Sequence, residues 1–299
     1  MTIEANAKVN FTLEVFGKRA DGYHALRSVV MPISLSDTLD IEVTDDDTIT
    51  SDTGYDDDLC VKAARVLRNV RMLECSNVRM PGARIRVAKR IPAGGGLGGG
   101  SADAAAVLRA LNELWEVGLS REELAEVGAQ VGSDVPALVF NAPVIMEGRG
   151  EIVKSIEACA CSDLPSEHPT IRPSEHVRTL NLVIVNPGVH SSTKEVYAAC
   201  APRSLDGENA TAKMVEALGW GNSVEIAAAL MNDLQAPAVK LHPEIADALV
   251  SLKTAGVIGA MMSGSGSSAF GLVPDLATAE RISAELNFKG LQSWPVQTV

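Results

Sequence analysis

Hydrophobic and polar positions alternate with period two along residues 2–16. The odd positions are apolar, and the even positions from Glu4 to Glu14 are polar. Such alternation is typical of a β-strand that buries one face. Lys8 and Asn10 therefore project from the same polar face, about 7 Å apart along the strand. On this pattern alone, a solvated strand face is the simpler interpretation of Lys8.

A second pattern is helical and follows a run of glycines. Six of the seven residues from Gly94 to Gly100 are glycine, and apolar residues with helical spacing follow up to Leu114. Glycine lets the backbone approach a ligand closely, and a helix N-terminus presents unpaired N–H groups. We therefore expect a phosphate-binding loop, with Ser101 or Asp103 as the helix N-cap. The alternative is a flexible linker.

Two familiar glycine motifs fit this run poorly. The pattern G-x-x-x-x-G-K-[ST] requires a lysine after Gly100, where Ser101 stands. The dinucleotide pattern G-x-G-x-x-G fits within Gly94–Gly99, but so glycine-rich a run matches it almost automatically. The acidic residue expected at the end of a second strand is not found, because the chain is still helical there. A dinucleotide site is the weaker alternative.

The rest of the chain is predicted to mix strands and helices. Strands are predicted at 26–33, 38–43, 84–87, 180–185, 257–262 and 270–273, and helices at 59–70, 121–131, 224–231, 242–252 and 276–286. Residues 155–178 are polar and contain Pro165, Pro169 and Pro173. We expect a domain boundary there, with one domain over 1–155 and a second over 156–299.

Several polar residues lie on predicted loops. Asp134, in the segment GSDVP, has a constrained backbone that suits a general base or a metal ligand, although a turn or N-cap aspartate is commoner. Tyr23 and His24 end a glycine-containing turn. There they can contact the base of a nucleotide, or they can simply close a hairpin. Thr193 is predicted to cap the helix that carries Tyr197. The loop SGSGSS (263–268) is either a ligand loop or a plain turn.

Composition narrows the possible functions. The chain has 299 residues and a net charge of −12, which disfavours nucleic acid and anionic membranes as partners. A polyanionic ligand would need a local positive site, which the glycine loop with Lys89 and Arg90 could supply. No apolar run reaches about 18 residues, and the N-terminus does not read as a signal peptide. We therefore expect a cytoplasmic protein.

The cysteines and histidines give no metal signal. The five cysteines are odd in number and scattered, so free thiols in a reducing compartment are expected. Cys159 and Cys161 lack the second pair that a zinc site requires. His168 and His176 have no neighbouring ligand of suitable spacing. No metal-binding residue is assigned.

The segment Pro92-x-x-x-Gly96-Leu97-Gly98, with the helix behind it, resembles the phosphate loop of the GHMP kinases, such as galactokinase, homoserine kinase and mevalonate kinase. The fuller string GLGGGSADAA (96–105) is similar to the branch of that family that phosphorylates a cytidine diphosphate methylerythritol. Further matching segments follow in the same order along most of the chain: residues 7–24, 132–136, 148–151, 186–188, 232–234 and 263–268. Asp58 departs from this pattern, because an asparagine is common there.

The resemblance implies an α+β fold of two domains. The N-terminal domain would be a ribosomal-protein-S5-like α/β domain and the C-terminal one ferredoxin-like, with the active site in the cleft between them. ATP and Mg²⁺ would be the cofactors, and the partner would be the small-molecule substrate, with no nucleic acid or membrane. A monomer or weak homodimer is expected. The implied ATP-binding residues are Pro92, Gly94, Gly95, Gly96, Leu97, Gly98, Gly99, Gly100 and Ser101.

The resemblance also implies residue roles. Asp134 would be the catalytic base, and Lys8 would sit beside it and stabilise the transferring phosphoryl group. The substrate would be bound by five residues: Asn10 at the erythritol or its diphosphate, Tyr23 and His24 at the cytosine, and Tyr197, with Thr193 nearby, on the other side of that base. The alternatives are a homoserine- or mevalonate-type kinase, a non-catalytic nucleotide sensor on the same fold, and a nicotinamide-dependent oxidoreductase.

Overall fold

The structure is a computed structural model that describes residues 1–74, 80–156, 178–204 and 207–299. In these ranges the strands are β1 Thr2–Asn10, β2 Thr12–Lys18, β3 His24–Thr44, β4 Ile49–Ser51, β5 Gly82–Ala88, β6 Val144–Gly148, β7 Ile152–Ser155, β8 Asn181–Asn186, β9 Met231–Asn232, β10 Gly259–Met262, β11 Ala269–Val273 and β12 Gln292–Gln297. The helices are α1 Leu59–Glu74, α2 Gly99–Leu114, α3 Arg121–Gly128, α4 Val135–Phe140, α5 Thr193–Ala199, α6 Ala210–Trp220, α7 Ser223–Ala229, α8 Gln235–Leu241, α9 Glu244–Thr254 and α10 Leu276–Phe288.

Some sequence predictions fall outside the described residues: those on Cys75, Cys159, Cys161, His168, His176 and the three prolines of 157–177. Within the described part of the chain, Cys60 and Cys200 are free thiols, as expected. No helix in that part is long and apolar enough to cross a bilayer.

Contacts divide the chain into two compact units. Unit 1 contains residues 1–7, 35–91 and 98–141, and unit 2 contains residues 8–34, 92–97 and 142–299. The domain boundary at 155/156 stays a prediction.

Unit 1 combines a small sheet with a helical layer. Strand β5 pairs antiparallel with the C-terminal part of β3, from Thr38↔Ala88 to Thr44↔Gly82, and β4 pairs parallel with β5. Helix α2 packs against α1 and α4. Residues 102–108 of α2 are all buried, and six of the seven are alanine, valine or leucine, with Asp103 the exception. The sequence prediction of an apolar helix behind the glycine run is confirmed.

Unit 2 contains two antiparallel arrangements of strands. Strand β2 pairs with the first part of β3, β6 pairs with β3 on the same segment, and β7 pairs with β6. A separate four-stranded sheet has the order β10-β11-β8-β12, and α9 and α10 pack on its strands. The strands predicted at 180–185, 257–262 and 270–273 all form in this sheet, whereas β12 was not predicted.

The polar face of the first predicted strand is buried, so the expectation of a half-buried strand is wrong. The strand breaks at Phe11 into β1 and β2, and the polar residues Asn6, Lys8, Asn10, Thr12 and Glu14 are each at most 8 % exposed. Buried polar groups need partners. Those of Glu14 are the side chains of Arg27 and Arg203 and the backbone N–H groups of Ala210 and Thr211.

Helix ends correct two cap predictions. Helix α3 has a capping box formed by Ser120 and Glu123. The N-cap of α2 is Gly98, so Ser101 and Asp103 lie inside the helix instead of capping it. Gly98 takes this position because its φ of 70° is left-handed, which favours glycine. The N-cap of α5 is Ser192, and Thr193 is the first helical residue.

Asp58, where the family pattern commonly has asparagine, is the N-cap of α1. Asp58 Oδ1 accepts the backbone N–H groups of Cys60 at 2.8 Å and Val61 at 3.4 Å. We expect Asp58→Ala to lower the free energy of unfolding by about 1 kcal/mol in urea denaturation, because two helical donors lose their acceptor. Asp58→Asn is the matched control and should keep most of the stability. Equal losses in both variants would contradict the cap.

Candidate active site

Residues 92–97 of the glycine loop close against the second glycine–serine loop, residues 263–268, inside unit 2. The backbone N–H of Ser268 donates to the carbonyl oxygen of Gly95 at 3.0 Å, and Ser263 Oγ donates to that of Gly96 at 3.0 Å. All residues of the second loop are buried. The second loop is therefore a structural partner of the first, and not an isolated hairpin turn.

Gly96 is required at this contact. Its φ is 73°, and a Cβ atom at this position would lie 2.2 Å from the carbonyl oxygen of Ser263. Such a distance is far inside van der Waals contact, and the atom met is backbone. Any side chain at residue 96 would therefore separate the two loops.

Two asparagines hold the second loop, and the sequence analysis assigned no role to either. Asn232 Nδ2 donates to the carbonyl oxygens of both Met262 and Gly264 at 2.9 Å. Asn186 Nδ2 donates to Ser268 Oγ at 3.1 Å. The only sequence signal for them was their place in the segments NPG and NDL, which are shared with the resembling family.

Lys8 lies where the two loops meet. Its backbone N–H donates to the carbonyl oxygen of Leu97 at 3.0 Å, and its Nζ donates to Asn10 Oδ1 at 2.6 Å. A Cβ atom at Gly264 would lie 3.2 Å from this Nζ. Lys8 is 3 % exposed, so its charge acts in a poorly screened environment. The prediction that Lys8 and Asn10 share a face is confirmed.

Asn10 is itself fixed by the neighbouring strand. Its Nδ2 donates to Ser28 Oγ at 2.8 Å, and that hydroxyl donates to the carbonyl oxygen of Thr12 at 2.5 Å. These bonds orient the amide so that its oxygen faces the Lys8 ammonium. The hydrogen bond between Lys8 and Asn10 therefore has a defined direction.

Unit 1 carries the remainder of the glycine run. After the left-handed Gly98, helix α2 begins at Gly99, with no side-chain cap and no acidic residue in its first turn. The first N–H groups of a helix have no intrahelical acceptor, and the helix dipole is positive there. The N-terminus of α2, with Gly99, Gly100 and Ser101, has the chemistry that an anion such as a phosphate requires.

Lys89, however, does not supply a free positive charge to this site. Its Nζ contacts Asp37 Oδ2 at 2.5 Å and Asp103 Oδ2 at 2.7 Å. Asp37 Oδ1 also accepts the backbone N–H groups of Arg90 and Ile91, at 2.5 and 2.8 Å. This cluster fixes the chain directly before the glycine loop, and the expectation that Lys89 attracts the ligand is corrected to a structural role.

Burial raises the pKa of the Asp103 carboxyl to about 7, with Asp37 adding to the rise and the Lys89 ammonium opposing it. Asp103 Oδ1 is buried and has no hydrogen-bond partner among the described residues. Asp37, by contrast, accepts from two backbone N–H groups and from Lys89. With its raised pKa, the Asp103 carboxyl takes up a proton as the pH falls through about 7.

Asp134 occupies the N-cap position of α4 in unit 1. Its φ of −87° and ψ of −14° are helical. The constrained backbone predicted for the segment GSDVP is therefore the start of a helix. Its side chain makes no cap hydrogen bond, and Val135 and Pro136 behind it are buried. The sequence left open that Asp134 caps a helix with its carboxylate, and the structure has no such cap hydrogen bond.

Four of the predicted substrate-binding residues of unit 2 take part in three contacts. The rings of His24 and Tyr197 lie 5.6 Å apart between centroids, at 31° to one another. Thr193 Oγ1 lies 2.9 Å from Ser265 Oγ, in the second glycine–serine loop. Tyr23 is 53 % exposed and lies under the guanidinium of Arg149.

The raised pKa of Asp103 yields a prediction of pH dependence. Because its folded-state pKa lies above the ordinary value of 3.8, the proton stabilises the folded protein. We expect the stability of the wild type, relative to Asp103→Asn, to be greatest below pH 3.8 and to be lost as the pH rises to about 7. Free energies of unfolding from urea denaturation at several pH values measure this. A difference that does not change with pH would contradict it.

Comparisons with known proteins agree with this arrangement. Residues 58–142 match the family model of the GHMP kinases N terminal domain, and residues 214–291 match that of the GHMP kinases C terminal domain. The chain is 39 % identical to a 4-diphosphocytidyl-2-C-methyl-D-erythritol kinase of Pelotomaculum thermopropionicum, over 95 % of this chain and 93 % of that one. It is 37 % identical to the protein of that name from Symbiobacterium thermophilum, over the full length of both.

Solved structures give the same result. A crystal structure of 4-(cytidine 5'-diphospho)-2C-methyl-D-erythritol kinase is similar with a TM-score of 0.77 and 30 % identity, over 100 % of this chain and 99 % of that one. A homoserine kinase from Cytophaga hutchinsonii has a TM-score of 0.71 at 18 % identity, over 100 % and 95 % of the two chains, which shows a shared fold alone. The chain therefore belongs to the GHMP kinase family, in the group of the 4-diphosphocytidyl-2-C-methyl-D-erythritol kinases.

Proposed function

We propose that this protein is an ATP-dependent kinase that phosphorylates the 2-hydroxyl of 4-diphosphocytidyl-2-C-methyl-D-erythritol, a step of the non-mevalonate route to isoprenoids. The observation that carries the proposal is the position of Lys8, a buried ammonium held by Asn10 where the two glycine loops meet. Relatives with this name align over nearly the whole chain, which supports the choice of substrate.

The glycine loop is proposed to bind the nucleotide. ATP supplies the phosphoryl group, and Mg²⁺ lowers the charge on its phosphates. The backbone N–H groups that would bind these phosphates come from the residues of the loop and of the first turn of α2: Gly94, Gly95, Gly96, Leu97, Gly98, Gly99, Gly100 and Ser101, with Pro92 shaping the entrance. The described residues contain no cluster of three His, Cys, Asp or Glu side chains for a metal. Mg²⁺ beside a nucleotide is usually held by phosphate oxygens, water and one or two carboxylates, which needs no such cluster.

Asp134 and Lys8 are proposed to carry out the chemistry. The Asp134 carboxylate takes the proton from the 2-hydroxyl while the hydroxyl oxygen forms its bond to the γ-phosphorus. The bond from that phosphorus to the ADP oxygen breaks, and the electron pair leaves with ADP. The Lys8 ammonium stabilises the negative charge of the transferring group.

Five residues are proposed to bind the cytidine substrate. Asn10 would contact the erythritol or its diphosphate. Tyr23 and His24 would contact the cytosine, with Tyr197 on the other side of the base and Thr193 nearby. Aromatic rings suit this task, because every base presents a flat π-face to a side chain. His24 adds a hydrogen-bonding group that can read the edge of the base.

The same proposal includes the cellular compartment, the partners, the oligomeric state and the domain bounds of the enzyme. It would act in the cytoplasm on a small-molecule substrate, as a monomer or weak homodimer, without nucleic acid. Its N-terminal domain would span residues 1–155 and its C-terminal domain residues 156–299. The two family models match segments on either side of that boundary.

The substrate is tested with an ADP-release assay on four acceptors: 4-diphosphocytidyl-2-C-methyl-D-erythritol, homoserine, mevalonate and galactose. We expect turnover with the cytidine compound alone. Turnover with homoserine or mevalonate would assign the protein to the alternative, another small-molecule kinase of this family. ADP release with none of the four, despite ATP binding, would favour a nucleotide sensor.

Removal of the base gives a second test. We expect Asp134→Asn to lower kcat by about a thousandfold while the KM for ATP changes little, because the amide cannot accept the hydroxyl proton. Lys8→Ala should lower kcat by a similar factor. Asp247→Asn, on the exposed face of α9, is the control and should keep full activity. Near wild-type turnover of Asp134→Asn would remove this residue as the base.

The cytosine contact gives a third test. We expect Tyr23→Ala to raise the KM for the cytidine substrate about tenfold and to leave the KM for ATP unchanged, since base stacking on an aromatic ring is worth about 1–3 kcal/mol. Tyr55→Ala is a matched control, because Tyr55 is also an exposed tyrosine, at 60 %. An unchanged ratio of the two KM values in Tyr23→Ala would refute the stacking role.

A further inference from the structure

Two turns of unit 2 lie side by side, and a side chain of each contacts the other. The first, the tyrosine turn, is residues 19–23 between β2 and β3, and the second, the arginine turn, is residues 148–151 between β6 and β7. They are neighbours because β6 pairs antiparallel with β3, with Gly148 opposite Leu26. The segment GRGE was among those shared with the family, but neither the sequence nor the proposed mechanism gives it a function.

The contacts between the turns are reciprocal. Arg19 of the tyrosine turn donates from Nη1 to Glu151 Oε1 of the arginine turn at 2.9 Å. In the other direction, Arg149 places its guanidinium carbon 5.3 Å from the centroid of the Tyr23 ring. Each turn therefore contributes one arginine and one partner for the arginine of the other.

Internal hydrogen bonds fix each turn. Asp21 Oδ1 accepts the backbone N–H of Tyr23 at 3.1 Å, and the N–H of Arg19 donates to the carbonyl oxygen of Tyr23 at 2.7 Å. In the arginine turn, Glu151 Oε2 accepts the backbone N–H of Arg149 at 2.5 Å. The Glu151 carboxylate thus holds the backbone beneath Arg149 and the side chain of Arg19 at the same time.

The position of Arg149 matters because Tyr23 is exposed. A solvated tyrosine on a turn samples several rotamers, and ordering it on binding opposes affinity. A guanidinium over one face of the ring favours a single orientation through a cation–π contact. Because Tyr23 is 53 % exposed, much of the ring remains accessible to a second flat group.

We propose that Arg149 is a positioning residue for the cytosine site, which holds the Tyr23 ring in its base-binding orientation from the face opposite the base. The inference rests on the proposed function of Tyr23. It gives the arginine turn a role in substrate affinity and none in phosphoryl transfer. Glu151 contributes indirectly, by tying the two turns together through Arg19.

The first experiment compares steady-state constants of single variants. We expect Arg149→Leu to raise the KM for 4-diphosphocytidyl-2-C-methyl-D-erythritol about threefold to fivefold, with kcat and the KM for ATP unchanged. Arg149→Lys keeps a cation on the ring and should recover part of the affinity. Arg281→Leu removes an exposed arginine of α10 and is the control. Thermal unfolding of each variant checks its fold, and calorimetric titration with cytidine 5'-diphosphate measures binding without turnover.

The second experiment is a double-mutant cycle with Tyr23→Leu. If Arg149 acts through Tyr23, Arg149→Leu has no further effect on KM in the Tyr23→Leu background. The same rise in both backgrounds would overturn the inference and show that Arg149 contacts the substrate itself. No rise for Arg149→Leu, with a clear rise for Tyr23→Leu, would overturn the inference and leave the proposed cytosine site intact. No rise for Tyr23→Leu would refute the cytosine site.

Discussion

A side chain at residue 96 and the carbonyl oxygen of Ser263 cannot occupy the same space, and the contact between the two glycine loops of unit 2 depends on this constraint. Because Gly96 has no Cβ, two loops that are 167 residues apart meet through their backbones. The contact fixes the carbonyl groups of Gly95 and Gly96 on one side of the loop. A phosphate-binding loop presents N–H groups to its ligand, so carbonyl groups engaged elsewhere are compatible with that role.

Two lysines near the glycine run have different surroundings, which the sequence alone does not distinguish. The charge of Lys89 is balanced by Asp37 and Asp103 within the same unit, and its effect is to hold the chain before the loop. Lys8 is buried against the neutral amide of Asn10 and the backbone of the second loop. The net charge of −12 says nothing about either case, because local partners decide what a buried cation can do.

Local patterns predicted the secondary structure well where the spacing of apolar and polar residues along a short segment determines it. Alternation placed Lys8 and Asn10 on one face, and apolar spacing placed α2 behind the glycines. Alternation could not predict that the polar face is buried, because it reports how two faces differ and not what covers them. The N-cap at Gly98 was missed because side-chain preferences do not register a left-handed glycine. Strand β12 was missed because Pro295 interrupts its pattern.

The residues that hold the second glycine–serine loop, which sequence reasoning missed, act over long separations. Asn232 reaches the carbonyl oxygen of Gly264, 32 residues away, and Asn186 reaches Ser268, 82 residues away. Short polar residues beside proline, glycine or leucine look like ordinary turn residues. Only the folded chain shows that their amides bridge distant loops.

The connectivity of the two units has a consequence for protein engineering. The chain passes from one unit to the other five times, and two of these passages fall inside strands β1 and β3, at Ala7/Lys8 and Ser34/Leu35. A third passage falls inside the glycine run, between Leu97 and Gly98. No single cut therefore releases either unit as a continuous polypeptide. Neither unit can be exchanged between homologues by joining two fragments end to end, and a chimera that exchanges a whole unit must exchange three separate segments of the chain.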